Sequence, residues 1–121
     1  AAAAYKRACQ LRPSTYALNA LAGVYREMGQ LTLAEQTYRR ALELGDNPAS
    51  WTGLAGVFLA QGRPQEAVDI LLPLLTREPD NLFACRALMG AYAALGLTDR
   101  VKQYERRAWA IEQRKGRRST P

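Results

Sequence analysis

Apolar residues return at spacings of three and four along almost the whole chain, the period of a helix with one buried face. Where the pattern breaks, it breaks at glycine or proline. Gly29, Gly62 and Gly96 each close an apolar stretch, and each is followed after a very short turn by a second amphipathic segment. The second segments end at Pro13, Asn47–Pro48 and Pro79–Asp80–Asn81, because proline cannot continue a helix. The pattern thus predicts helices in pairs. First members cover residues 18–29, 51–62 and 85–96, and second members cover 31–44, 63–76 and 97–111. Each closing glycine fits a helix C-cap, where the backbone turns left-handed at little cost only for glycine. Thr32 with Glu35, and Thr98, read as N-caps, and Pro64 suits a first turn. Pro73 falls inside a helix, removes one backbone bond and predicts a kink near Asp69.

The pairs repeat. Laid together, LNALAGVYREMG (18–29), WTGLAGVFLAQG (51–62) and CRALMGAYAALG (85–96) align Leu21 with Leu54 and Leu88, and Gly23 with Gly56 and Gly90. Tyr25, Phe58 and Tyr92 also coincide, as do the closing glycines. In the second helices Ala34, Ala67 and Val101 match, then Tyr38 and Leu71, then Ala41, Leu74 and Ala108. The offsets are 33 and 34 residues, and a unit of that length with the order Trp51, Leu54, Ala55, Phe58, Gly62, Ala67 and Pro79 resembles the tetratricopeptide repeat. The resemblance covers residues 1–114. Residues 1–13 form the second helix of a partial repeat, 14–46, 47–80 and 81–114 are full repeats, and 115–121 are a basic disordered tail. It implies an all-α, right-handed superhelical solenoid of antiparallel helix hairpins. The pentatricopeptide arrays that read RNA have similar length but lack this order of residues. Because the chain opens in a second helix, residues 1–12 are expected to leave one face uncovered. A fragment of a longer array, or an edge covered by another domain or chain, would have that form.

The last hairpin departs from the pattern. Glu105 stands where the others have Tyr38 and Leu71, and Met89 is larger than the small residue expected beside Leu88. Looser packing is expected there.

Family members of this kind bind peptides along the concave face lined by their first helices. The residues so implied here are Tyr16, Asn19, Gly23, Arg26, Thr52, Gly56, Leu59, Phe83, Arg86, Gly90 and Ala93. The row Gly23, Gly56 and Gly90 has two readings: a trough for a partner's backbone, or relief of crowding between neighbouring first helices. Co-chaperone members hold a terminal carboxylate with Lys, Asn and Arg; the matching places here hold Asn19, Gly23, Ala49, Gly53, Phe83 and Ala87. That clamp is absent. Tyr16, Leu59 and Phe83, edged by Arg26 and Arg86, instead suit an apolar or helical segment with an acidic residue or two.

Composition changes the picture in one place. The net charge is +6, yet residues 1–99 carry nine basic and nine acidic side chains, so the excess lies in Arg100, Lys102, Arg106, Arg107, Arg114, Lys115, Arg117 and Arg118 against Glu105 and Glu112. A solvated end is the plain reading, and contact with an acidic partner the next. Nucleic-acid binding is disfavoured, because Tyr104 and Trp109 have a spacing that suits core packing. Cys9 and Cys85 read as small buried hydrophobes and leave the compartment open, with a cytoplasmic setting favoured and a periplasmic one open if a leader was removed. No apolar run reaches the ~20 residues of a membrane-spanning helix.

There is no histidine, which removes the commonest general base and metal ligand at once. No phosphate-binding glycine loop occurs, and Glu35, Glu43, Glu66 and Asp69 read as solvated positions. The expectation is a non-catalytic chain without cofactor or metal that holds a protein or peptide partner. The Arg-, Ala- and Leu-rich composition suggests a bacterial source, and an assembly for secretion, pilus formation or polysaccharide export would suit the role. Two alternatives stand beside it: a nucleic-acid or acidic-surface accessory using the basic end, and self-association through residues 1–12.

Overall fold

The computed structural model describes residues 2–119, with side chains as far as Lys115. Its helices are α1 (Ala2–Leu11), α2 (Thr15–Glu27), α3 (Leu31–Leu44), α4 (Pro48–Ala60), α5 (Pro64–Arg77), α6 (Leu82–Ala94) and α7 (Thr98–Ser119), with no strand among the described residues. They fall into two compact units, residues 1–63 and 64–121.

The three glycine turns are alike in every bond. Gly29, Gly62 and Gly96 have φ of 78°, 72° and 74°. Each glycine N–H donates to the carbonyl three residues back (Arg26, Leu59, Ala93), and the next N–H reaches the aromatic residue five back (Tyr25, Phe58, Tyr92). This paired closure satisfies carbonyls that a helix end leaves orphaned. It also starts the next helix at once. Leu31 is already helical behind Gln30, which makes no side-chain cap, and Thr98 is the first residue of α7. Thr32 and Thr98 are therefore not N-caps, contrary to expectation: the turn leaves no extended residue at their positions. Side-chain caps occur instead on the first helices, which follow longer loops. Ser14, Asn47 and Asn81 accept from the backbone N–H of Ala17, Ala49 and Ala84 at 3.0, 2.8 and 3.0 Å. Each contributes about 1 kcal/mol. Pro64 opens α5 as predicted, and α5 runs through Pro73 to Arg77.

In the first unit α1 packs on α2, α2 on α3, and α4 on both α2 and α3. Cys9, Leu18, Leu21 and Ala41 form a buried cluster with Ala2, Ala17 and Tyr25 against it. The helix α4 is apolar round most of its circumference, and Gly53, Leu54, Ala55, Val57 and Phe58 are all buried. The closest approach is at Gly53. A Cβ there would lie 2.4 Å from the Tyr38 ring, so the ring rests on bare backbone and α3 and α4 come together at a distance only glycine permits.

In the second unit α6 packs on α5 and α7. Leu71, Leu74, Leu75, Leu88 and Ile111 are its fully buried large side chains. Tyr104 is buried and stacks on Tyr92, with ring centroids 5.6 Å apart. Trp109, expected in the core, is 62% exposed. The reason is register: Tyr104, Ala108 and Ile111 occupy the buried stripe, and Trp109 lies one residue past it. Residues 115–119, expected as a disordered tail, continue α7, while residues 120 and 121 lie outside the described residues. Gln113, Arg114 and Lys115 are good helix formers and propagate a helix already nucleated on α6.

Candidate interaction surface

Of the residues implicated by sequence, Tyr16, Asn19, Gly23, Arg26, Thr52, Gly56 and Leu59 belong to the first unit, and Phe83, Arg86, Gly90 and Ala93 to the second. Within the first unit they divide further. Asn19 Oδ1 accepts the Ser50 hydroxyl at 2.8 Å, satisfying a fully buried serine and tying α2 to α4. The Thr52 hydroxyl donates back to the Ala49 carbonyl at 3.0 Å. These two side chains serve the fold.

Tyr16, Gly23, Arg26, Gly56 and Leu59 remain. Tyr16 is 83% exposed, the most exposed large hydrophobic side chain of the described residues. Arg26 lies half-buried with its guanidinium across α4 at Gly56, where a Cβ would stand 2.8 Å from Nη1. The trough predicted at Gly56 is thus floored by glycine but occupied by arginine. No carboxylate pairs with Arg26 among the described residues. Its positive charge opposes the effect of burial on the Tyr38 hydroxyl; burial dominates and raises that group above its ordinary value. At Gly23 the Tyr38 hydroxyl is 3.9 Å from a would-be Cβ, an ordinary contact, and at Gly90 there is open space.

In the second unit Phe83 is 63% exposed beside the loop of Glu78, Pro79, Asp80 and Asn81. Arg86 pairs with Glu112 of α7. The basic helix is itself partly engaged: Arg107 donates to the Pro79 carbonyl at 3.3 Å, and Arg114 bonds Asp80 at 2.7 Å.

One cluster was not foreseen. Glu35, read from sequence as solvated, is 19% exposed at its side chain and accepts from Arg39 Nε at 3.1 Å and Arg63 Nη1 at 2.8 Å. The two guanidinium carbons sit 5.6 and 4.4 Å from the Phe58 ring centroid, so the carboxylate holds both cations over an aromatic face. Burial alone would raise the Glu35 carboxyl, but hydrogen bonds from Arg39, Arg63 and Gln61 outweigh it and hold the group below its usual value. The spacing of Glu35 and Arg39, four apart on a helix, was the available signal. Cys9 and Cys85 are buried free thiols, and burial raises Cys85, which makes it a poor nucleophile. No group of metal-ligating side chains and no helix long and apolar enough to cross a membrane occurs among the described residues.

Paired helices, left-handed glycine closures and aromatic residues at the same register recur along the chain, and the comparison with known families agrees with them. A tetratricopeptide repeat model matches residues 1–47 and 19–81, more than half of the chain. The chain belongs to the tetratricopeptide repeat family. No curated protein matches it. As an all-α tetratricopeptide protein it is a protein–protein interaction scaffold, of a kind whose repeats are typically non-catalytic. The match stops before the last hairpin, where Met89 and Glu105 depart from the pattern.

Proposed function

We propose that this tetratricopeptide protein holds an apolar or helical segment of a partner polypeptide against α2 and α4, with an acidic residue of that segment placed on Arg26. The single observation that supports this is a half-buried arginine whose guanidinium lies over glycine with no carboxylate partner among the described residues. A charge-assisted bond to such a group, already positioned and partly desolvated, adds about 1.5–3 kcal/mol. Tyr16 and Leu59 offer apolar surface to the rest of the segment. A larger assembly, such as a secretion, pilus or polysaccharide-export machine, is the setting in which a scaffold of this kind would serve.

Selection of a random peptide display library on the full chain tests the reading. Enriched sequences should carry Asp or Glu among apolar residues. Binding of the best peptide should fall at least tenfold in Arg26→Glu, and also in Gly56→Gln, whose side chain displaces the guanidinium. Peptides that bind both variants as well as the parent chain would defeat the proposal.

A further inference from the structure

A second surface, confined to the hairpin of α6 and α7, is built on different residues. Trp109, 62% exposed, lines an open hollow of about 340 Å³ with Arg86, Met89, Glu105, Ala108 and Glu112. In repeat register Arg86, Met89 and Glu105 stand where the first unit has Asn19, Ala22 and Tyr38. There the corresponding face is covered. Asn19 accepts from Ser50 of α4, the Tyr38 ring fills the space at Gly53 of α4, and Ala22 is fully buried. The molecule itself thus shows what kind of element seats on this face: a first-type helix, laid across both members of the hairpin.

Charge narrows the occupant. The hollow carries two carboxylates, Glu105 and Glu112, against the one guanidinium of Arg86, which pairs with Glu112. Glu105 makes no hydrogen bond or ion pair among the described residues. It takes the place of Tyr38, so the position that meets it on a covering helix is the equivalent of Gly53. The chain's own first helices have Ala20, Gly53 and Ala87 there, and none can answer a carboxylate. We propose that this face docks an amphipathic helix of a partner polypeptide, with an apolar stripe on Trp109 and Met89 and a lysine or arginine against Glu105. This surface shares no residue with the one around Arg26, so each proposal can fail without the other.

The test uses a synthetic α4 peptide, residues 48–60, with Trp51→Phe and Gly53→Lys, held helical by a lactam bridge on its outward face, and a twin with Gly53→Glu. Each is titrated into the full ¹⁵N-labelled chain while the two indole N–H resonances are followed. The lysine peptide should shift the Trp109 resonance saturably, leave that of Trp51 unmoved and bind at least fivefold more tightly than the glutamate peptide. In a Glu105→Lys chain, whose helicity is checked by circular dichroism, the order should reverse. Trp109→Ala should weaken the lysine peptide about tenfold or more. Equal binding of the two peptides, or none, overturns the proposal. So does a Trp109 resonance that moves with chain concentration alone, which would make a second copy the occupant.

Discussion

Phe58 and Tyr92 occupy the same place in the repeat, and the two units cover them by opposite means. In the first, Phe58 is 1% exposed under the guanidinium groups of Arg63 and Arg39, themselves held by Glu35. In the second, Tyr92 is 6% exposed and lies on the ring of Tyr104, 21° from parallel. Repeat register fixes where the aromatic sits, because its carbonyl anchors the glycine turn. What covers it is left to the neighbours. A ring covers by dispersion and area, which neither salt nor pH removes. A carboxylate with two arginines covers by charge, which both weaken.

The largest effect should come from removing the ring cover. Tyr104→Ala deletes a side chain that is 5% exposed and leaves Tyr92 facing a cavity. The expected loss is about 3–5 kcal/mol, as for other large aromatic truncations in cores. Thermal unfolding followed by circular dichroism measures it. A loss below about 1 kcal/mol would show that the stacking in the second unit is surface decoration and would dissolve the contrast.

Next in size is the close approach of α3 and α4. Gly53→Ala places a methyl 2.4 Å from the Tyr38 ring, which is itself 4% exposed and has little room to retreat. Overpacking of this kind costs about 1–3 kcal/mol, and here it should exceed the roughly 1 kcal/mol that alanine gains over glycine in a helix. The second unit suggests the remedy, since it pairs Leu71 with Ala87 at the same two positions. Tyr38→Leu combined with Gly53→Ala should recover at least ~1 kcal/mol relative to the sum of the single changes, a coupling that a double-mutant cycle reads directly. Additivity would mean that Gly53 is not there for the ring.

These contacts mark where the sequence was legible. Helix pairs, glycine turns and the aromatic register follow from local rules, because each depends on residues within one hairpin. Tyr38 and Gly53 are fifteen residues apart, on different helices, and their match is visible only once the helices are packed. Arg26 and Gly56 are the same case: the sequence showed a glycine floor but not which side chain would lie on it. Trp109 lies outside the core for a local reason. Its neighbours Tyr104, Ala108 and Ile111 already fill the buried stripe, so a tryptophan one step along is turned outward however apolar it is. The burial of Glu35 is not legible from α3 alone, because Arg63 reaches it from the far end of α4.

Smaller effects distinguish the covers by pH. The Glu35 carboxyl is held below its ordinary value in the folded chain, so its contribution is complete above the unfolded glutamate value, near pH 4.3, and drains away as pH falls through the lower folded one. Glu35→Gln should cost about 1 kcal/mol at pH 7, a modest figure because Arg39 is 53% exposed and screened by solvent. The difference between parent and variant should shrink below pH 4. A difference that stays constant from pH 7 to pH 3 would show that the carboxylate's charge plays no part in covering Phe58.

The smallest change has the opposite sign. Gly90 lies within α6, and a Cβ built there meets nothing within 4 Å. Alanine fits the helix better than glycine and leaves the unfolded chain fewer conformations to lose, so Gly90→Ala should stabilise by about 0.5–1 kcal/mol. At the matching position of the first unit the same change brings a methyl to 2.8 Å from Arg26 Nη1. The guanidinium is the free end of a flexible side chain and can swing aside, so Gly56→Ala should gain less than Gly90→Ala, by a few tenths of a kcal/mol. Paired unfolding curves of the two variants measure that gap. If Gly90→Ala gains nothing, its glycine is needed for more than the space seen within its own unit. If both gain equally, Arg26 is not seated on Gly56, and the acidic ligand proposed for it loses its anchor.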